Sequence, residues 1–172
     1  QDVLPEFTVE DFRRPPLTPS TPTTQPTGPD LLTGLGLVVR TTPDPQDIPT
    51  DLLGYPLTVR ATPTEFTWDF GDGTTRTTTG PGRAYPSDYQ PGRSDPLYPP
   101  GVIGHPYPTL GTYTPTLTTT WSGEYLLAGT TTWRPINGTA TTTSTLPTLT
   151  IHETETHLVD DNCLQNPHGP GC

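Results

Sequence analysis

The chain has 172 residues, of which 25 are Pro, 17 are Gly and only 28% are hydrophobic; its formal net charge is -10 and all eight basic residues are Arg. An acidic chain without basic clusters excludes a nucleic-acid binder, because phosphate neutralisation supplies most of that affinity, and the absence of Lys excludes Schiff-base catalysis and Lys–Asn isopeptide crosslinks. Abundant Pro rules out long helices and abundant Thr favours strands, so the composition predicts an all-β protein with a thin core.

Residues 1–14 form a small acidic unit carrying Val3, Leu4, Phe7, Val9 and Phe12. Its "EFTVE" alternates, with Phe7 and Val9 on one face, and predicts a short strand. Residues 15–30, "PPLTPSTPTTQPTGPD", read as a Pro/Thr linker, extended at about 3.1 Å per residue and reaching roughly 40–50 Å. An apolar arm on a stiff tether is the expectation. Thr18, Thr21, Thr23, Thr24 and Thr27 of the linker are the candidate positions for O-linked glycans.

The globular part is expected over residues 31–160. "LGLVVRTTP" reads as a strand, "DPQDIPTDLLG" as a connection and "YPLTVRAT" as the next strand. After Pro63, "TEFTWDF" places Phe66, Trp68 and Phe70 on one face. "TTRTTT" is a polar strand. Residues 80–106 form an insertion rich in Pro, Gly, Tyr and Asp, and long aperiodic insertions are usually functional or disordered. "GTYTPTLTTTW", "EYLLAGTTTWRPI" and "TATTTSTLPTLTIHETETHLV" supply the remaining strands. Short strands between turn residues predict a sandwich. The Thr rows are explained by β-propensity, with O-glycosylation or packing against another chain as alternatives. Asn137-Gly138-Thr139 fits the N-glycosylation pattern.

Residues 161–172 hold Cys163 and Cys172, the two cysteines of the chain. The short Pro/Gly-rich loop between them suits a disulfide, which stabilises by roughly 2–3 kcal/mol on the loop-closure model and implies an oxidising compartment. Two free thiols are the alternative; a zinc site with His157 and His168 has the wrong Cys spacing. The start at Gln1 is read as that of a mature, secreted protein. No apolar stretch approaches the roughly 20 residues of a membrane span.

The candidate site is "TEFTWDFGDGTT". Asp69-Phe70-Gly71-Asp72-Gly73 offers a metal loop, a pair of catalytic acids or a hairpin turn. An EF-hand loop requires Glu at its twelfth position, and Gly80 stands there. Only a weak Ca2+ site with Asp88 or Asp95 is left to consider. Catalytic carboxylates need a cleft with two different environments, and nothing in the sequence indicates one. "IHETETH" is one residue longer than the zinc motif H-E-x-x-H, and on a strand His152 and His157 face opposite ways. The turn reading remains: Asp72-Gly73 is a favoured hairpin pair, and Asp69 can accept backbone N–H bonds across it.

Together, Trp68, Asp69, Phe70, Gly71, Asp72, Gly73, His105, Tyr107, Gly111 and Tyr113 resemble the signature of the PKD (polycystic kidney disease) domain family. The likeness runs over roughly residues 35–150, apart from the insertion and the strands after Trp121. The layout also resembles PKD-domain proteins secreted by actinobacteria, whose C-termini end in a similar Cys-containing tail. The resemblance implies a PKD/immunoglobulin-like β-sandwich in which these residues build the fold, with Tyr113 as a corner tyrosine. It implies no cofactor, no metal and no enzyme activity. Two functions are then expected. One is a structural subunit of an extracellular surface assembly or filament, its arm docking on a copy of itself or another extracellular protein. The other is a cell-surface module that adheres to glycan or protein through Tyr85, Tyr89, Tyr98 and Tyr107.

Overall fold

The computed structural model describes residues 6–90 and 97–153. A five-residue helix, α1 (Val9–Arg13), precedes eleven strands: β1 (Pro22–Gln25), β2 (Asp30–Leu32), β3 (Gly36–Thr41), β4 (Gln46–Leu52), β5 (Tyr55–Asp69), β6 (Thr75–Thr78), β7 (Ile103–Pro106), β8 (Gly111–Tyr113), β9 (Thr116–Leu127), β10 (Arg134–Thr145) and β11 (Leu149–His152). Apart from this short helix the described residues are all-β, layered as a sandwich.

The largest sheet has the order β10-β9-β5-β4, with β6 beside β5 as well. β5 and β9 pair antiparallel from Leu57↔Leu127 to Asp69↔Thr116, with one register shift between Pro63 and Glu65. On β9 the odd-numbered residues from Leu117 to Leu127 all face inward and are buried. On β5 the buried positions change from odd (Leu57, Val59, Ala61) to even (Phe66, Trp68). Thr64 is the extra residue of this bulge, which restores both sets to one face of the sheet.

That single face carries two separate cores. In the first, Phe66, Trp68 and Leu117 meet Leu37 and Val39 of β3, Ile103 of β7, and Leu149 and Ile151 of β11. The covering layer consists of the small sheets β1-β3-β7 and β2-β11-β8. In the second, Leu57, Val59, Tyr125, Leu127 and Ile136 are covered by Phe7 and Phe12 from the N-terminal segment.

Several elements differ from the sequence expectation. "EFTVE" is not a strand: Thr8 caps α1 in a reciprocal capping box with Asp11, a Thr-x-x-acid signal that alternation hides. The arm is not held away from the domain, because Phe7 and Phe12 are buried in the chain's own second core. Nor is 15–30 wholly a tether: β1 pairs with Val38–Thr41 of β3, and as an edge strand it accommodates Pro22. "DPQDIPTDLLG" holds β4, paired with β5; Pro49 is tolerated there because β4 is also an edge. β5 runs through Pro63, since the adjoining bulge already interrupts the ladder. Within the 80–106 insertion, β7 pairs with β3 and belongs to the sandwich.

Candidate functional site

The turn after β5 is built from its own side chains. Asp69 Oδ1 accepts the Gly71 N–H at 2.8 Å and Asp72 Oδ1 accepts the Thr74 N–H at 2.9 Å. Phe70 N–H donates to Thr74 O at 3.0 Å, closing the turn. Gly71 and Gly73 take φ of 80° and 89°, the left-handed region where a Cβ is strained.

β7 locks this turn from the side. Asp72 Oδ2 lies 2.7 Å from His105 Nε2, and the His105 ring stacks on Phe70 at 4.2 Å. The fully buried Tyr107 donates its hydroxyl to Phe70 O at 2.9 Å, and its ring stacks on Tyr113 at 4.8 Å. Tyr113 donates to Thr109 O at 3.1 Å, and Gly111 lies close under the Tyr113 ring. Burial pushes the Asp72 carboxyl up, but the hydrogen bonds from His105 and Thr74 outweigh it and hold the carboxyl below its ordinary value. Burial pushes the Tyr107 phenol well up. Both carboxylates are thus committed to backbone or His105, and Tyr107 points into the core rather than toward a ligand.

The tyrosines of the insertion form a separate cluster. The ring of Tyr85 meets Tyr89 edge-on at 5.8 Å and Tyr98 at 6.5 Å. Tyr98 lies flat over Gly36 and Gly104, at either of which a Cβ would overlap its ring. Between this cluster and the β2–β3 turn opens a groove of about 490 Å3, walled by Tyr85, Tyr98, Leu35, Leu97, Gln25 and Pro26 among others. Leu35 and Leu97 remain 54% and 55% exposed on its rim. Among the described residues no charged side chain lines it. Its polar groups are turned to internal use: Gln25 Oε1 accepts from Tyr85 N–H at 3.0 Å and Tyr85 Oη donates to Leu97 O at 3.1 Å. Tyr98 Oη is buried with no hydrogen-bond partner among the described residues.

The sequence reading named Tyr85, Tyr89 and Tyr98 but not their neighbour Leu97, nor Leu35, Gln25 and Pro26, which come from two other segments. The glycines at 36 and 104 were the available signal, since a glycine inside a strand marks a close approach.

The other candidates are dispersed. Thr23 and Thr24 lie in β1, and Thr18, Thr21 and Thr27 are exposed. Asn137 is exposed in β10, beside the register shift opposite β9. The Thr repeats form rows on the outer face of the large sheet, one running Thr143–Thr118–Thr67–Thr77 across four strands. His152 Nε2 lies 2.7 Å from Asp30 Oδ1. Among the described residues no three His, Cys, Asp or Glu side chains gather as a metal site, and no helix is long and apolar enough to cross a membrane. Val3, Leu4, Asp95, His157, His168, Cys163 and Cys172 lie outside the described residues, so the disulfide expectation falls there too.

The family model of the PKD domain matches residues 53–124. The match runs from the β4–β5 turn almost to the end of β9 and contains the locked turn, His105, Tyr107 and the tyrosine cluster. The search of curated proteins finds no match. PKD domains are typically non-catalytic β-sandwich modules of extracellular type, often adhesive or structural. Residues 53–124 are similar to the PKD domain, and the signature residues within them are spent on the turn and core that build the sandwich.

Proposed function

We propose that this protein is a non-enzymatic extracellular module that works by contact, and that its contact surface is the groove between Tyr85, Tyr98, Leu35 and Leu97. The observation that carries the reading is the pair of exposed leucines facing a braced tyrosine cluster. Of the two expected ligand classes, glycan and protein, the groove favours protein. A sugar requires several free hydrogen-bonding groups, whereas Gln25 Oε1 and Tyr85 Oη are already bonded within the chain and Tyr98 Oη is buried. The occupant that fits is an uncharged, extended segment presenting Pro or Leu side chains, because rigid tyrosines give large contact area at little entropic cost and aromatic-lined grooves suit proline-rich chains.

The test is selection of peptides from a displayed random library on the full chain, alongside a glycan array. Expected are uncharged Pro- or Leu-bearing peptides whose binding weakens at least tenfold in Leu35→Asp and Leu97→Asp variants. Glycan binding without peptide binding, or peptides indifferent to both substitutions, would overturn the reading.

A structural subunit of a surface filament is the second reading. Its motive, an apolar arm free to dock on a neighbour, is altered by the seat of Phe7 and Phe12 on the chain's own sheet. A link through the arm would require copies to trade arms.

A further inference from the structure

We infer that the arm, residues 6–14, is an exchangeable element, and that the partner it fits is a second copy of this chain. In the exchanged form the second core of one copy is completed by Phe7 and Phe12 of its neighbour. This inference stands apart from the groove.

The arm carries its own fold. Thr8 N–H donates to Asp11 Oδ2 at 3.0 Å, Asp11 N–H donates to Thr8 Oγ1 at 3.3 Å, and Arg13 pairs with Glu10 at 3.0 Å. All these bonds lie within the arm, so moving it breaks none of them.

Its seat on the body is narrow and specific. Phe12 stands over Gly123 and Val9 over Gly138, Phe7 packs on Tyr125 at 5.4 Å, and Arg13 Nε donates to Thr139 O at 3.1 Å. Around that seat the packing is open. A cavity of about 360 Å3 lies under the connector, between Leu17 and Ala140. Another of about 580 Å3 separates Phe7 and Arg14 from Leu52 and Leu53.

The connector suits transfer. Pro15, Pro16 and Pro19 keep it extended and remove backbone donors. It is fastened at Thr18, whose N–H and C=O each bond the Gln46 side-chain amide at 2.8 Å. The span from Arg14 to Leu17 is therefore the hinge.

The seat cannot stay empty, since a bare strip of Leu57, Val59, Leu127 and Ile136 would be a large exposed apolar patch. Every copy carries the same arm and the same seat, so an arm from a neighbour restores the contacts that its own would make. Exchange of identical elements is a low-cost route to assembly, and a non-closing exchange yields an open fibre.

The experiment uses two full-length variants of different tag size, both with Cys163→Ser and Cys172→Ser. One carries Val9→Cys and the other Gly138→Cys, because a Cβ at 138 would stand 3.0 Å from Val9 Cβ. Mixed at high concentration and oxidised, they are expected to give a covalent heterodimer at least tenfold above the same mixture bearing Phe12→Asp. Gly138 has φ of 112° and resists a side chain, so a second measurement accompanies the first. Deleting Pro15 and Pro16 shortens the hinge, and light scattering should then show at least a doubled mass. Either positive result supports exchange. No heterodimer together with a monomeric shortened chain overturns it.

Discussion

Phe12 and Gly123 are made for one another: a Cβ at Gly123 would lie 2.9 Å from the edge of the Phe12 ring and 2.8 Å from Ile136. The glycine is what admits the ring to the sheet. Gly123→Ala is expected to destabilise by about 1–3 kcal/mol through overpacking, and Phe12→Ala by about 3–5 kcal/mol through loss of the buried ring. Urea unfolding checks both, and an apolar dye should bind the uncovered strip in each.

Asp72 makes stability depend on acid. Its folded carboxyl is held below the ordinary value, so it contributes stability above the unfolded value of about 4. That contribution is lost as pH falls from there through the lower folded value. Urea midpoints between pH 7 and pH 2 should therefore drop at the acid end, and Asp72→Asn should flatten part of that drop. Asp11, lowered chiefly by the Thr8 hydroxyl, supplies a share that survives in the Asp72→Asn variant.

Tyr107→Phe removes one oxygen and strands another. Phe70 O would be left buried without the 2.9 Å bond it accepts, an expected cost of about 1–3 kcal/mol. Thermal unfolding should show a lower midpoint with native secondary structure retained.

Tyr98→Phe should behave in the opposite way. The hydroxyl is buried without a partner among the described residues, so its removal is expected to be neutral or stabilising by up to about 1 kcal/mol. Gly104→Ala, by contrast, would push the ring off β7 and remove the groove's inner wall. Unfolding midpoints for the first, and peptide binding for the second, separate the two effects.

What could be read from the sequence was local. Period-two alternation of Phe66 and Trp68, followed by Asp-Phe-Gly-Asp-Gly, specifies a strand and a turn within a few residues, and both stand as read. Pro63 was misleading because a proline ends most strands; only the bulge with Thr64, set by pairing to β9, lets it remain. The seat of Phe12 depends on Gly123, more than a hundred residues away, and no pattern within either segment announces the other. The groove was half legible for the same reason. Its tyrosines cluster in one stretch, while Leu35 and Gln25 reach it only through the pairing of β1, β3 and β7.

The bulge also decides where the gene can lose a codon. Deleting Thr64 would remove the one unpaired residue and leave an even ladder, with every side chain of β5 still on its present face. A deletion within β9 has no such outlet. From that point onward its outward-facing residues, such as Thr118 and Thr120, would turn inward and its buried residues, such as Trp121, Tyr125 and Leu127, outward, beneath whichever of the two covers lay above them.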